Sequence, residues 1–389
     1  MTLKPSQILQ ILDQKRDSFS KFDIAAVKTL QQYRAALEEF VAMAEEERLD
    51  VLARPMGQLG ARPLESFGTT VGGIFPAGLV WQNREESLEW VRDRLTGVTT
   101  FAVDGSQIYP GKDLSIPVAL VQIGWFENAH RPDGHYLKDI RVDVMTPQDL
   151  QVGNSGEPVD RRVSMRRFEM ECDRLVEYMQ ANPGAERCLL FFDGSLVATF
   201  ARAFEASTRQ FYIDCTLRLL RASERYRVPL VGYIDTSYAD DVTVMLKTLF
   251  ELPDANTIHD AQLFNRAMQW GDRTPLFLCD RLDILDSYAE HRDRITFTYL
   301  KTTHDNFPAR LEIPLWVAES GRLEQILDWV RAEVIVGGGY PYAIETADQT
   351  AVLQTHDRQT FFRILQDWAE QQQLNLRLSR KMVSKARRR

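Results

Sequence analysis

No stretch of this sequence reaches the ~20 consecutive apolar residues that a membrane-spanning helix requires. The N-terminal segment, Met1 to Lys15, has no apolar run leading to a small-residue cleavage site, so secretion is not expected. Cysteine is scarce: Cys172, Cys188, Cys215 and Cys279 are far apart and form no CxxC pair. That excludes a disulfide framework and a zinc site built from paired cysteines, and it predicts buried, reduced thiols in a cytoplasmic chain. A phosphate-binding P-loop is absent as well, because Gly337-Gly338-Gly339 is not followed by Lys-Ser/Thr. No internal repeat is visible beyond two Asp-Gly-Ser triplets. Nor is there a basic excess: the net charge is −8, which argues against a general nucleic-acid coat. The exception is the end of the chain. From Arg377 to Arg389 there are seven Lys or Arg residues and no acidic one, a segment suited to gripping phosphate.

The 389 residues, 44% of them hydrophobic, suffice for one large core or two modest ones. Apolar residues at three- and four-residue steps, Ile24, Val27, Leu30, Tyr33, Leu37, Phe40 and Val41, predict a helical arm over 5–50 that must pack on the body or on a second subunit. Residues 52–83 are Gly- and Pro-rich and read as irregular. Asn83 caps a short helix with Glu85 and Glu86 in its first turn. Strands are then expected over 99–103, 116–126 and 135–145. A helix follows over 158–181, with Phe168, Cys172, Leu175 and Met179 on one face. Next come a strand from Cys188 to Phe192, a helix over 198–225 and a strand from Val228 to Ile234. The first three strands have connections too short for crossovers and should be antiparallel. The later ones have helical crossovers and should be parallel. The expected class is α/β, a mixed sheet flanked by helices. Beyond residue 240 the pattern is harder to read. A strand is expected over Glu312–Val317, a helix over Leu323–Glu333, and one last helix over 346–371.

The sharpest chemical signal is a pair of carboxylates. Asp104 and Asp193 each follow an apolar strand and precede Gly-Ser. A carboxylate just past a buried strand sits at the edge where open α/β sheets place their sites. On neighbouring strands, ~4.8 Å apart, two such groups repel unless a cation or proton lies between them. The helix between them offers a third carboxylate. Glu169 and Glu171 flank its apolar face equally; Glu169 is the preferred candidate and Glu171 the second. Such an oxygen set suits hard divalent cations. Arg166 and Arg167 on the same helix, with Arg387, Arg388 and Arg389 in the tail, are candidate phosphate contacts. Asp235, at the end of the fifth strand, reads as a turn former. His130 and His135 read as solvated, and the His259-Asp260, His304-Asp305 and His356-Asp357 pairs as surface pairs. Trp316 and Trp329 read as core.

These elements in this order resemble the NurA nucleases. The resemblance spans roughly Phe101 to Leu365. It rests on Val103-Asp-Gly-Ser106, the Arg-Arg-Phe-Glu helix, Phe192-Asp-Gly-Ser-Leu196, Arg310-Leu-Glu-Ile-Pro314 and Gly339-Tyr-Pro341. It implies a ribonuclease H-like fold and a homodimer working with a HerA-type translocase in DNA end resection and double-strand break repair. It also implies two Mn²⁺ or Mg²⁺ ions held by Asp104, Asp193 and Glu169 or Glu171, with Tyr340 near the site. Where the family usually continues to Ala-His, this chain has Ala347-Asp348, so Asp348 is expected as the remaining ligand. The expected division is a helical arm and connection over 1–97, a nuclease domain over 98–371 and a basic tail over 372–389. Two alternatives stand beside this reading. One is a catalytically weakened adaptor for a DNA translocase, motivated by Asp348. The other is an ATP-binding protein of the actin and sugar-kinase type, whose fold also places Asp-Gly turns at strand ends.

Overall fold

The computed structural model describes residues 3–377 except 55–56, 58, 71, 112–113, 152–157, 256 and 282–283; Arg387, Arg388 and Arg389 therefore lie outside the described residues. The chain begins with α1 (Pro5–Gln14), α2 (Arg16–Ala42), α3 (Glu45–Ala53), β1 (Gly60–Pro63) and α4 (Arg84–Leu95). Then come β2 (Thr99–Ile108), β3 (Ala119–Asn128), β4 (Tyr136–Met145), α5 (Pro147–Gln151) and α6 (Val159–Ala181). β5 (Cys188–Asp193), α7 (Ala206–Tyr226), β6 (Leu230–Ile234), α8 (Asp241–Phe250) and α9 (Asp260–Phe264) follow. The remainder is β7 (Phe277–Asp280), β8 (Ile295–Leu300), β9 (Ala309–Pro314), α10 (Leu315–Glu319), α11 (Leu323–Val336), α12 (Tyr342–Ala351) and α13 (Thr355–Gln371).

Two compact units divide these elements. One holds residues 1–80, 234–286 and 293–311; the other holds 81–233, 287–292 and 312–389. Among the described residues, no helix is long and apolar enough to cross a membrane.

In the second unit the strands run in the order β6-β5-β2-β3-β4. β2, β3 and β4 are antiparallel, while β5 is parallel to both β2 and β6. β5 is buried along its apolar run because it lies between two neighbours. α6, with α7 beside it, packs on one face of β2 and β3, and α12 packs on the other. Asn83 caps α4 as its sequence position predicts, accepting from Glu86 N at 2.9 Å. All four cysteines are free and buried. Trp316 and Trp329 are core residues.

In the first unit α2 packs on α8 and α9, and β1, β7 and β8 form antiparallel pairs. The second half of the predicted α2 stripe, Tyr33, Leu37 and Phe40, is buried, whereas Ile24 and Val27 are exposed. A buried ionic cluster anchors this unit. Asp241 lies 2.7 Å from both Arg281 Nη2 and Arg310 Nη1. Asp260 accepts from Val242 N, Thr243 N, Thr243 Oγ1 and Tyr299 OH.

Several expectations are corrected. The last helix is two, because Val352 to Gln354 leave helical geometry and Gln354 opens a new capping box with Asp357. The expected helix over 198–225 begins as a short 3-10 turn, Thr199–Ala203, and becomes α-helical only at Ala206. The strand expected to reach Val317 stops at Pro314, which starts α10. Asp260 is fully buried rather than on the surface. His130 turns inward, with Nδ1 2.7 Å from Val98 O and Nε2 3.3 Å from Glu333.

Candidate active site

β2 and β5 pair in parallel with Val103 opposite Phe192. The next residue on each strand is a carboxylate, so Asp104 and Asp193 stand side by side. Their strands then part. β5 ends at Asp193, and Gly194 turns the chain at φ 145°, a conformation that favours glycine. β2 instead runs on through Gly105 and Ser106 to Ile108, because β3 pairs with it along the whole stretch. Asp104 therefore lies inside a strand, not just past its end as its Asp-Gly-Ser sequence suggests; β3 overrides the turn signal.

Two glycines bring helices to this point from opposite faces. Gly105 faces α6, where a Cβ would collide with Glu171 Oε1 and come within 2.6 Å of Arg167 Cγ. Gly124, opposite Asp104 on β3, faces α12, where a Cβ would stand 2.6 Å from Ala351 N. α12 is held at both ends. Its first turn is fixed by the buried Glu333, which accepts from Ala343 N at 2.8 Å and from Thr100 Oγ1 at 2.9 Å. Past its last turn, Gln122 donates to Ala351 O and Leu353 N donates to Ser106 Oγ. Asp348, on α12, comes within hydrogen-bonding reach of Asp104.

The electrostatics follow from this crowding. Burial pushes the Asp104 carboxyl up to about 6. The Gly105 N–H opposes that, while contact with Asp348 and the charges of Asp193 and Asp348 add to it. Glu171 is pushed up to about 8, first by burial, against the pull of Arg167 and with the charges of Asp104 and Asp193 adding. Glu171 Oε1 is buried without a hydrogen-bond partner, and Arg167 Nε stands 3.4 Å from it. Asp193 accepts from Tyr340 OH at 2.9 Å. Tyr340 is delivered by the triple-glycine bend. Gly338 and Gly339 take φ 68° and 124°, and a side chain on Gly337 would strike Tyr340 O. The Tyr340 ring meets Tyr233 edge-on, with centroids 5.2 Å apart.

The structure thus brings together Asp104, Glu171, Asp193, Asp348 and Tyr340. It does not bring Glu169 to them. Glu169 accepts from Arg166 Nη1 at 2.7 Å, and Arg166 also donates to Asp143 at 2.7 Å. Helix spacing left the two glutamates equivalent; Gly105 separates them, because it opens room above β2 for Glu171. Arg167 points inward and donates to Gly105 O. Both arginines therefore have carboxylate or carbonyl partners within the protein.

Sequence reading passed over Glu312 and Glu333. Glu312 Oε2 accepts from Ser195 Oγ, Leu196 N and Val197 N at 2.8, 2.7 and 3.3 Å, which fixes the loop that follows Asp193. Its signal was a lone carboxylate inside the apolar strand Arg310-Leu-Glu-Ile-Pro314. Among the described residues, no three His, Cys, Asp or Glu side chains converge closely enough to enclose a metal ion. The donor chemistry nevertheless fits a hard cation: all four acids offer oxygen, and one buried oxygen lacks a hydrogen bond.

A β4-β3-β2-β5-β6 sheet with carboxylates on its central strand, on the next strand and on helices from both faces defines a ribonuclease H-like protein. The NurA domain matches residues 98–353, and the chain belongs to the NurA family. Family membership supports a nuclease role. Solved structures are similar at low identity. NurA with manganese matches at 11% identity and TM-score 0.41, covering 73% of this chain and 96% of that one. NurA bound to dAMP and manganese matches at 11% and 0.33, covering 69% and 89%. The catalytic domain of human Endonuclease V matches at 15% and 0.36, covering 74% and 92%. No curated protein matches the chain.

Proposed function

We propose that this chain is a metal-dependent deoxyribonuclease that hydrolyses phosphodiesters at DNA ends, with Asp104, Glu171, Asp193 and Asp348 as ligands for Mn²⁺ or Mg²⁺. The observation that carries this reading is Glu171. Its carboxylate is buried beneath Gly105, one oxygen lacks a hydrogen bond, and it faces the charges of Asp104 and Asp193. A buried, unsatisfied carboxylate costs the protein stability. An enclosed carboxylate group of this kind has a physical purpose if a divalent cation neutralises it.

When bound, two such ions supply Lewis acidity toward the phosphodiester and a nucleophilic water at neutral pH. The protein's own residues supply placement. Asp104 on β2 and Glu171 on α6 lie near enough for their charges to act on one another. Tyr340 fixes the orientation of Asp193 through its hydroxyl. Glu312 holds the loop after Asp193, and Glu333 holds the start of α12, so the two more exposed acids, Asp193 and Asp348, sit on fixed backbone. The tail arginines Arg387, Arg388 and Arg389 steer phosphate by charge.

In this reading residues 98–371 form the nuclease domain, 1–97 the helical arm and connection, and 372–389 the basic tail. A HerA-type translocase, a homodimeric state and a role in end resection come with the NurA resemblance. Thermal melting with and without Mn²⁺ tests the ligand set. Wild type and Glu169→Gln should gain stability with Mn²⁺; Asp104→Asn and Glu171→Gln should not. Equal Mn²⁺ shifts in all four proteins would remove these acids from the proposal.

A further inference from the structure

α12 is capped from another element. Pro341 stands at its N-terminal boundary and offers the first turn no side-chain acceptor. Glu333, on α11, supplies one instead: Oε2 accepts the Ala343 N–H, and Oε1 accepts the Thr100 hydroxyl. A carboxylate at a helix N-terminus also suits the helix dipole. This one is 1% exposed. A charge so deeply buried is costly unless an opposite charge lies against it. His130 stands where that charge is needed, with Nε2 3.3 Å from Glu333 Oε1 and its side chain 15% exposed.

The backbone is bent to bring the ring there. His130 follows β3 at φ 43°, a left-handed conformation in which asparagine, aspartate and histidine are enriched among residues with a side chain. Its N–H donates to Asn128 Oδ1 at 2.9 Å, and its carbonyl accepts from Gly97 N at 3.2 Å. Nδ1 is 2.7 Å from the Val98 carbonyl. A carbonyl and a carboxylate can only accept, so both ring nitrogens need a proton, and that form is the imidazolium. Burial pulls the ring toward neutrality, but Glu333 and the Val98 carbonyl outweigh it and hold its pKa above the ordinary histidine value. Arg187 reaches the same connection but is held by the Thr96 and Gly97 carbonyls.

The consequence lies along β2. α12 is tied at its start, through Glu333, to Thr100, and just past its end Leu353 N bonds Ser106 Oγ. Asp348 lies between these ties, within reach of Asp104. Tyr340, which bonds Asp193, lies just ahead of the first turn. We propose that His130 is a positioning residue: as an imidazolium it neutralises Glu333, which fixes the start of α12 and with it Tyr340 and Asp348. Its link to α12 rests on the packing alone; its link to cleavage rests on the nuclease reading.

The test compares full-length wild type with His130→Asn, Glu333→Gln and the double variant. Asparagine tolerates the left-handed backbone but is too short to reach Glu333. Nitrogen shifts of the His130 ring, assigned by their loss in His130→Asn, read its protonation. Hydrogen exchange over residues 341–351 reads the hold on α12, and steady-state cleavage with Mn²⁺ reads the outcome at the site. The expected result is a doubly protonated ring at pH 7 and faster exchange over 341–351 in His130→Asn, with α7 unchanged. Adding His130→Asn to Glu333→Gln should speed exchange no further. In His130→Asn kcat should fall about tenfold, as when groups that support metal ligands are lost, with KM little changed. A neutral ring at pH 7, a folded His130→Asn chain with wild-type exchange over 341–351, or effects that add in the double variant would each overturn the proposal. So would a His130→Asn chain that loosens α12 yet cleaves at the wild-type rate. Should His130→Asn fail to fold, Glu333→Gln against the double variant decides, since neither leaves Glu333 charged. Wild type that leaves DNA intact while the exchange results hold would remove the nuclease reading and keep the link to α12.

Discussion

Gly124 lies directly opposite Asp104 in the β2–β3 pair, and the space its missing side chain leaves is filled by the backbone of α12 at Thr350 and Ala351. A strand residue with no apparent chemistry thereby decides how closely Asp348 approaches Asp104. Gly124→Val should push α12 outward. We expect melting to fall by several degrees, consistent with the ~1–3 kcal/mol typical of overpacking, and Mn²⁺ stabilisation to fall with it. Thermal melts at matched Mn²⁺ concentrations check this. A variant with wild-type melting and a wild-type Mn²⁺ shift would show that α12 does not depend on that gap.

The two helix glutamates should part company. Glu171→Gln removes a buried carboxylate with an unsatisfied oxygen, so the metal-free variant should be at least as stable as wild type. Its cleavage rate should nevertheless fall by ~100-fold or more, at or beyond the range seen when groups that merely support metal ligands are lost. Glu169→Gln breaks only an outer ion pair with Arg166, worth ~0–1 kcal/mol, and should cleave within about twofold of wild type. Rates of both variants on one labelled substrate decide it; reversed rates would exchange their roles.

The Tyr340 hydroxyl should contribute through Asp193. Tyr340→Phe keeps the ring contact with Tyr233 and removes one hydrogen bond to a carboxylate. A bond of this kind is worth ~1.5 kcal/mol, or roughly tenfold in rate. The loss should appear in kcat with KM little changed if the bond orients a ligand rather than holding substrate. A change confined to KM would place Tyr340 in substrate binding instead.

The first unit contains a pH-dependent element of its own. Burial pushes the Asp260 carboxyl up to about 7, and the charge of Asp241 adds to the rise. Its unfolded value is ~3.9, so between those two values the folded protein binds more protons than the unfolded one. The stability contributed by this group is therefore complete below about pH 4 and declines as pH rises toward 7. Asp241 acts in the opposite direction: Arg281 and Arg310 hold its carboxyl low, so its contribution is lost as the solution is made more acid. Asp260→Asn should remove the Asp260 decline. Relative to wild type, the variant should gain stability between pH 4.5 and pH 7.5, by at most ~4 kcal/mol at ~1.4 kcal/mol per pKa unit. Urea unfolding at the two pH values measures the difference; parallel curves would mean that Asp260 does not titrate in that window.

The succession of strands in the second unit and their antiparallel or parallel sense were legible in the sequence, because its apolar runs, short turns and crossover lengths all agree; which strands lie side by side was not. Asp104 and Asp193 stood out because each follows an apolar run and precedes Gly-Ser, although that signal set Asp104 past the end of a strand that in fact continues to Ile108. What distinguishes Glu171 from Glu169 was not legible, since helix periodicity sets both equally far from the buried face and only the void over Gly105 on another element favours one. Residues 240–311 were opaque because the core there includes ionisable groups. Asp241, Asp260 and Arg310 are buried, and a pattern reader places such residues on the surface. The break in the last helix was hidden as well, because it depends on Leu353 N finding Ser106 Oγ, a partner 247 residues away.

The most direct test of the central claim is degradation of end-labelled linear DNA with Mn²⁺ by wild type, Asp104→Asn and Asp193→Asn, each shown to be folded by its melting curve. The account predicts that wild type degrades the DNA only when the divalent ion is present and that both folded variants are inactive. Wild-type protein that leaves the DNA intact in both Mn²⁺ and Mg²⁺, with a HerA-type translocase supplied, would contradict it, as would folded Asp104→Asn or Asp193→Asn protein that cuts at the wild-type rate.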